Sequence, residues 1–145
     1  MKVIVQRAIN ASVTVNNKIV GEIDKGYMLL VGFTHTDNEA NCQSMAKKIK
    51  NLRIFEDNEG KMNLNIDAVG GKILSISQFT LYADCTGGNR PSFVNAMKQE
   101  EAKKLYLYFN NCLRDLGLVV EEGIFQADMK VKFTNDGPVT IILEN

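Results

Sequence analysis

Polar and apolar positions alternate through the first third of the chain. Val3 and Val5, flanked by Lys2 and Gln6, and Val13 and Val15, on either side of Thr14, recur at the period of a half-buried strand. Asn16-Asn17 is a turn signal between residues 12–15 and 18–23 and predicts a hairpin. Residues 27–33 form a more continuous apolar run after Gly26, as in a strand buried on both faces. The period then changes. Thr36-Asp37-Asn38-Glu39 has the Thr-x-x-Glu spacing of a capping box, and Cys42, Met45, Ile49 and Leu52 recur at helical spacing. A second helix is predicted over 99–116, with Ala102, Leu105, Phe109, Cys112 and Leu116 as its apolar stripe and Gly117 as its stop. Residues 73–81, 118–122, 130–134 and 139–143 read as further strands.

Strands outnumber helices and are not interleaved with them regularly. The pattern predicts an α+β fold with two main helices and a mostly antiparallel or mixed sheet, curled into a barrel-like form. With 145 residues and no linker, repeat or low-complexity stretch, the chain reads as one domain over 1–145.

Composition narrows the function classes. Seventeen Lys and Arg balance seventeen Asp and Glu, so a protein that coats nucleic acid through overall charge is excluded, as is a disordered acidic tail. Any polyanion must be held by a local patch. The longest apolar runs are too short to span a bilayer, and no secretory signal is visible in Met1-Lys2-Val3-Ile4-Val5-Gln6-Arg7. Cys42, Cys85 and Cys112 are odd in number and widely spaced, which points away from a disulfide framework or zinc site and toward a reducing cytosol.

The inventory of reactive groups is sparse. His35, the only histidine, lies between a strand and a helix cap, where a surface role competes with general acid–base work. Gly70-Gly71 and Gly87-Gly88 match no phosphate loop. Cys42 and Cys112 fall on predicted helix stripes, and Cys85 lies in a polar loop with no evident base. Ser77-Gln78-Phe79-Thr80-Leu81 brings two hydroxyls, an amide and an aromatic together; it is either an alternating strand or a site. Asn135-Asp136-Gly137-Pro138-Val139-Thr140 is first a turn, and its Gly-Pro bond is a place for a cis peptide that would aim two carbonyls at a ligand amine. Lys47, Lys48, Lys50 and Arg53 share one helix, as a solvated face or as a phosphate-contacting patch.

Taken in order along nearly the whole chain, these segments resemble the D-aminoacyl-tRNA deacylases, also called D-tyrosyl-tRNA deacylases. The resemblance is carried by Gln6-Arg7, Ala11-Ser12-Val13-Thr14-Val15, Gly21-Glu22-Ile23, Asn51-Leu52-Arg53-Ile54-Phe55-Glu56-Asp57 and Gly60-Lys61-Met62-Asn63. It continues in Ser77-Gln78-Phe79-Thr80-Leu81-Tyr82-Ala83-Asp84, Asn89-Arg90-Pro91-Ser92-Phe93, Ala127-Asp128-Met129 and Asn135-Asp136-Gly137-Pro138-Val139-Thr140.

The resemblance implies a cytoplasmic homodimer with active sites at the interface, acting on the 3′ end of aminoacyl-tRNA, with no DNA or membrane partner, no cofactor and no metal. Ser77, Gln78, Phe79 and Thr80 would line the catalytic pocket, with the Phe79 and Thr80 N–H groups receiving the carbonyl oxygen. Gly137 and Pro138 would enter the partner subunit's pocket, oriented by Arg7. Phe125, Ala127 and Met129 would surround the terminal adenosine, and Lys47, Lys48, Lys50 and Arg90 would be the phosphate contacts. The implied reaction is hydrolysis of D-aminoacyl-tRNA and glycyl-tRNA, assisted by the tRNA 2′-hydroxyl. Thr80 as nucleophile is the competing mechanism. A small-molecule esterase and a non-catalytic RNA-binding dimer are the competing functions. Two stretches depart from the common pattern: Cys85-Thr86-Gly87-Gly88 lacks a basic residue, and Gln126 stands where many members have glycine.

Overall fold

The β-branched residues of the first third build two long strands rather than several short ones. β1 (Lys2–Val15) and β2 (Lys18–Gly32) pair antiparallel around the Asn16-Asn17 turn, where both asparagines have positive φ. The structure, a computed structural model, describes residues 1–145. After β2 come α1 (Glu39–Asn51), a short hairpin of β3 (Phe55–Glu56) and β4 (Met62–Leu64), and β5 (Lys72–Ser77). α2 (Gln99–Asp115), β6 (Val120–Glu122) and β7 (Lys130–Glu144) complete the chain. No helix is long and apolar enough to cross a membrane.

The main sheet has the order β6-β5-β2-β1-β7. β1 pairs antiparallel with β2 and β7, whereas β5 runs parallel to β2 and to β6. The α+β class and the mixed sheet are as expected. The barrel is not: β6 and β7 are two unjoined edges, so the sheet is open. Alternation along a strand specifies which residues are buried, but not whether the last strand closes on the first.

From Gly26 onward β2 is buried on both faces, because a separate apolar cluster covers each side of the sheet there. Tyr27, Leu29 and Val31 enter the larger core with Val3, Val5 and the helix residues Cys42, Ile49, Tyr106 and Phe109. Met28 and Ile23 point the other way, into a smaller cluster with Ala11, Val13, Leu74 and Ile76. Three local expectations shift. The α1 cap is Asn38, whose Oδ1 accepts from the Ala40 and Asn41 amides while Asn41 returns a bond to the Asn38 amide. Thr36 does not cap, and Asp37 instead pairs with the Met1 ammonium at 2.6 Å. The stretch 130–143 forms one strand, β7, that accommodates the Gly-Pro turn by a shift of register between Gln6 and Ala8 of its partner. The strand expected over 73–81 stops at Ser77, and Phe79–Tyr82 is a 3₁₀ turn.

Gly26 opens the parallel pairing of β2 with β5, opposite Lys72. Its φ is +145°, and a Cβ placed there would lie 1.8 Å from the Lys72 carbonyl oxygen. Only glycine permits both the conformation and the approach. Gly26→Ala is therefore expected to destabilise the fold by about 3 kcal/mol or more, read from the midpoint of urea unfolding.

Candidate functional site

The β5 strand ends where its partner does. Ser77 is the last residue in register, opposite Val31, and the Gln78 N–H donates to the Val31 carbonyl at 2.7 Å. The chain then tightens: Leu81 N–H donates to the Gln78 carbonyl and Ala83 N–H to that of Thr80. Phe79 and Thr80 precede the first bond of this turn, so their N–H groups have no partner within it. The Gln78 Nε2 donates to Thr80 Oγ1, which ties the two side chains together.

Beside this turn lies a cavity of about 500 Å³. Val31, Phe33 and Ile76 belong to its lining on the sheet, and Ser77, Gln78 and Phe79 line it at the strand end. Phe125, Ala127 and Met129 reach it from the connection between β6 and β7. Phe93, from the loop before α2, meets Phe79 edge-on at 5.0 Å between ring centres. That loop is pinned to the end of β2. Thr34 Oγ1 donates to the Asn95 carbonyl, His35 Nε2 lies 2.6 Å from the Val94 carbonyl, and Met97 N–H donates to the Phe33 carbonyl. His35 thus holds a loop and is not among the residues lining the cavity.

Two amides bridge the rim: Gln126 Nε2 donates to Gln99 Oε1. Gln126 has φ +68°, a conformation glycine takes more easily. Its departure from the common glycine therefore has a structural counterpart in the bridge to α2.

Gly137 and Pro138 lie elsewhere. They are exposed on β7, the edge strand, and do not line the cavity of their own chain. The bond between them is cis, as the sequence suggested. Arg7 is only 5% exposed and organises this turn. Its Nε meets the Asp136 carboxylate at 2.9 Å and the Asp136 carbonyl at 3.1 Å, and its Nη1 donates to the Ile54 carbonyl at 3.0 Å. Glu56 stands 3.8 Å from Nη2. Asn135 braces the turn from inside, accepting from the Val139 N–H and donating to Thr140 Oγ1. Gly137 has φ +121°, and a Cβ there would approach Arg7 Nη2 to 3.2 Å and the Val139 nitrogen to 3.0 Å.

The sequence-predicted residues thus separate into groups. Ser77, Gln78, Phe79, Phe125, Ala127 and Met129 share the cavity; Thr80, expected beside them, is not in its lining and is tied to Gln78 by the hydrogen bond on its Oγ1. Arg7, Gly137 and Pro138 form a second, exposed cluster. Lys47 belongs to a shallow groove between the helices, Lys48 is exposed on α1, and Arg90 is exposed in the loop after Asp84. Lys50 is spent on protein contacts, with Asp67 at 3.2 Å and the Leu116 carbonyl. Sequence reasoning passed over Phe93, Lys98 and Gln99 as lining residues. The aromatic after Arg-Pro-Ser in a polar loop was the one available signal for Phe93; the other two reach the cavity only through the loop's docking on Phe33. No three His, Cys, Asp or Glu side chains converge as a metal would require.

This chain is similar to several known proteins. The family model described as D-Tyr-tRNA(Tyr) deacylase matches residues 4–144. A protein of Brevibacillus brevis named D-aminoacyl-tRNA deacylase is 57% identical, with all of both chains covered. A solved structure described as c-Myc DNA Unwinding Element Binding Protein superposes with a TM-score of 0.92 at 41% identity, over 100% of this chain and 99% of that one. Another, described as a probable eukaryotic D-amino acid tRNA deacylase, shares the fold at TM-score 0.82 and 17% identity, over 98% and 97% of the two chains.

Arg7→Ala is expected to cost about 2 kcal/mol, since it orphans the buried Ile54 carbonyl while the exposed acids regain water. Amide exchange at Val139 should accelerate with it, because the turn loses its anchor. The thiols should also sort by burial. Burial, with Cys112 and Asp37 adding to it, pushes the Cys42 thiol up to about 12, and burial raises Cys112 as well. Iodoacetamide at pH 8 should therefore alkylate exposed Cys85 first, read by mass spectrometry of the folded protein.

Proposed function

The chain belongs to the D-Tyr-tRNA(Tyr) deacylase family, and from that premise we propose that it hydrolyses the ester of D-aminoacyl-tRNA, and of glycyl-tRNA, from the cavity beside Ser77–Phe79. The observation that carries the assignment of the site is the end of β5: two successive N–H groups without partners in their turn stand beside a cavity wide enough for a nucleoside ester.

An aminoacyl ester is activated, so catalysis needs chiefly a place for negative charge on the carbonyl oxygen. The Phe79 and Thr80 N–H groups supply it, and they require no reorganisation as charge develops. Ser77 and Gln78 bound the reacting carbonyl. Phe125, Ala127 and Met129 pack around the terminal adenosine. Water is activated with help from the substrate's 2′-hydroxyl, which lies next to the ester oxygen by the chemistry of ribose itself.

A Thr80 nucleophile is disfavoured by one specific contact. Its Oγ1 accepts a hydrogen bond from the Gln78 amide, which draws electron density away from the oxygen, and the only histidine is committed to Val94. No base faces the hydroxyl.

Chirality is read by Gly137 and Pro138 of a second copy. Their exposure on the unpaired edge strand, outside their own cavity, supports a homodimer in which each copy completes the other's site. Their carbonyls accept from the substrate amine. An L side chain would then point into protein, a D side chain would point to solvent, and glycine would pass because it has nothing to exclude. The unit is the whole of 1–145, working in the cytosol.

Matched D-Tyr-tRNA, L-Tyr-tRNA and Gly-tRNA test this directly. Deacylation of the D and glycyl esters with the L ester spared is expected; equal D and L rates would overturn the chiral reading. Thr80→Ala should retain most of the activity, whereas a substrate with a 2′-deoxy terminal nucleotide should lose about 100-fold or more. The reverse pattern would establish the nucleophile mechanism.

A further inference from the structure

The charge at the cavity mouth points to a phosphate contact that the basic helix does not supply. Two ionised residues, Lys98 and Asp128, line the cavity. Asp128 is paired with Lys130, whose Nζ lies at 2.9 Å. Lys98 is exposed, and its ammonium appears in none of the nine ion pairs of the chain. Lys98 is therefore the one cation in the lining, with no carboxylate within 4.0 Å of its ammonium. The end of α2 does not add much to it, because Glu100 and Glu101 occupy the first turn.

The neighbouring cations have other positions or employment. Lys50 is held by Asp67 and the Leu116 carbonyl, and Lys47 faces the groove between the helices near Tyr108. A nucleotide whose sugar and base occupy the cavity beside Phe125 and Met129 has its 5′-phosphate at the cavity's edge, since the chain of the nucleic acid must leave through the opening. We propose that Lys98 is a substrate-binding residue that receives the 5′-phosphate of the terminal nucleotide, so that the polyanion is gripped at the mouth of the site and not along α1. This rests on the deacylase reading above. A flexible ammonium suits the task, because a phosphate leaving a single-stranded end needs a point charge more than a fixed fork.

The test uses three substrates of the full-length protein: D-Tyr-tRNA, 3′-O-D-tyrosyl adenosine, and the same ester carrying a 5′-phosphate. Lys98→Ala should raise KM several-fold for tRNA and for the phosphorylated ester with kcat little altered, so that the preference for phosphorylated over plain nucleoside ester collapses. The salt dependence of log(kcat/KM) on tRNA should weaken by about 0.7 in slope, the share of one phosphate contact on a single strand. Lys98→Arg should restore the preference. An unchanged preference in Lys98→Ala, or an equal loss on all three esters, would overturn the assignment while leaving the deacylase reading intact. Wild-type protein that hydrolysed none of the three would overturn both.

Discussion

The parallel pairing of β2 with β5 is the constraint on which the rest depends. Two antiparallel strands can turn in two residues, but a parallel neighbour must be reached by a long crossover. Here that crossover carries α1 and the β3–β4 hairpin, and it begins and ends at the sheet. It places the end of β5 beside the end of β2, where one last bond from Gln78 to Val31 finishes the ladder. From there the backbone must find other partners or none. The 3₁₀ turn satisfies Leu81 and Ala83 and leaves the two preceding N–H groups outside its ladder. The proposed oxyanion site is thus a by-product of how a parallel strand stops.

The second organising element is the buried guanidinium of Arg7. A charge this deep in the protein is tolerated only when its donors are used, and they are: two acids and two carbonyls surround it. Because Arg7 sits on β1, opposite Tyr27 on β2, it couples the turn of the edge strand to the same central strands that position the cavity. The two halves of the proposed composite site are held by one sheet, although they face different places.

Much of the fold was legible from periodicity. The double-sided burial of β2 from Gly26 onward and the hairpin at Asn16-Asn17 follow from local patterns that the tertiary structure keeps, whereas the buried face of α2 turns to Ala102, Tyr106, Phe109 and Leu113 and leaves the expected Leu105, Cys112 and Leu116 half-buried. Where reading failed, a long-range partner had intervened. Thr36 looked like the cap, but Asp37 beside it is drawn to the Met1 ammonium, and Asn38 takes over. Residues 73–81 alternated well enough for one strand, yet β2 ends at Gly32, and without a partner the strand cannot continue past Ser77. The open edges of the sheet could not be read at all, because closure is a relation between β6 and β7 that neither segment encodes alone.

The sequence by itself determined the two helices, the first hairpin and, through its ordered motifs, the family. Each depends on residue identity and short-range spacing, which are properties of the chain. The tertiary structure decided which groups meet: Phe93 on Phe79, Gln126 on Gln99, and Lys98 at the lining of the cavity. These contacts join residues far apart in the chain, brought together by the docking of one loop on the end of β2. No local pattern carries that information, because the free energy that selects it belongs to the packed core and not to any segment within it.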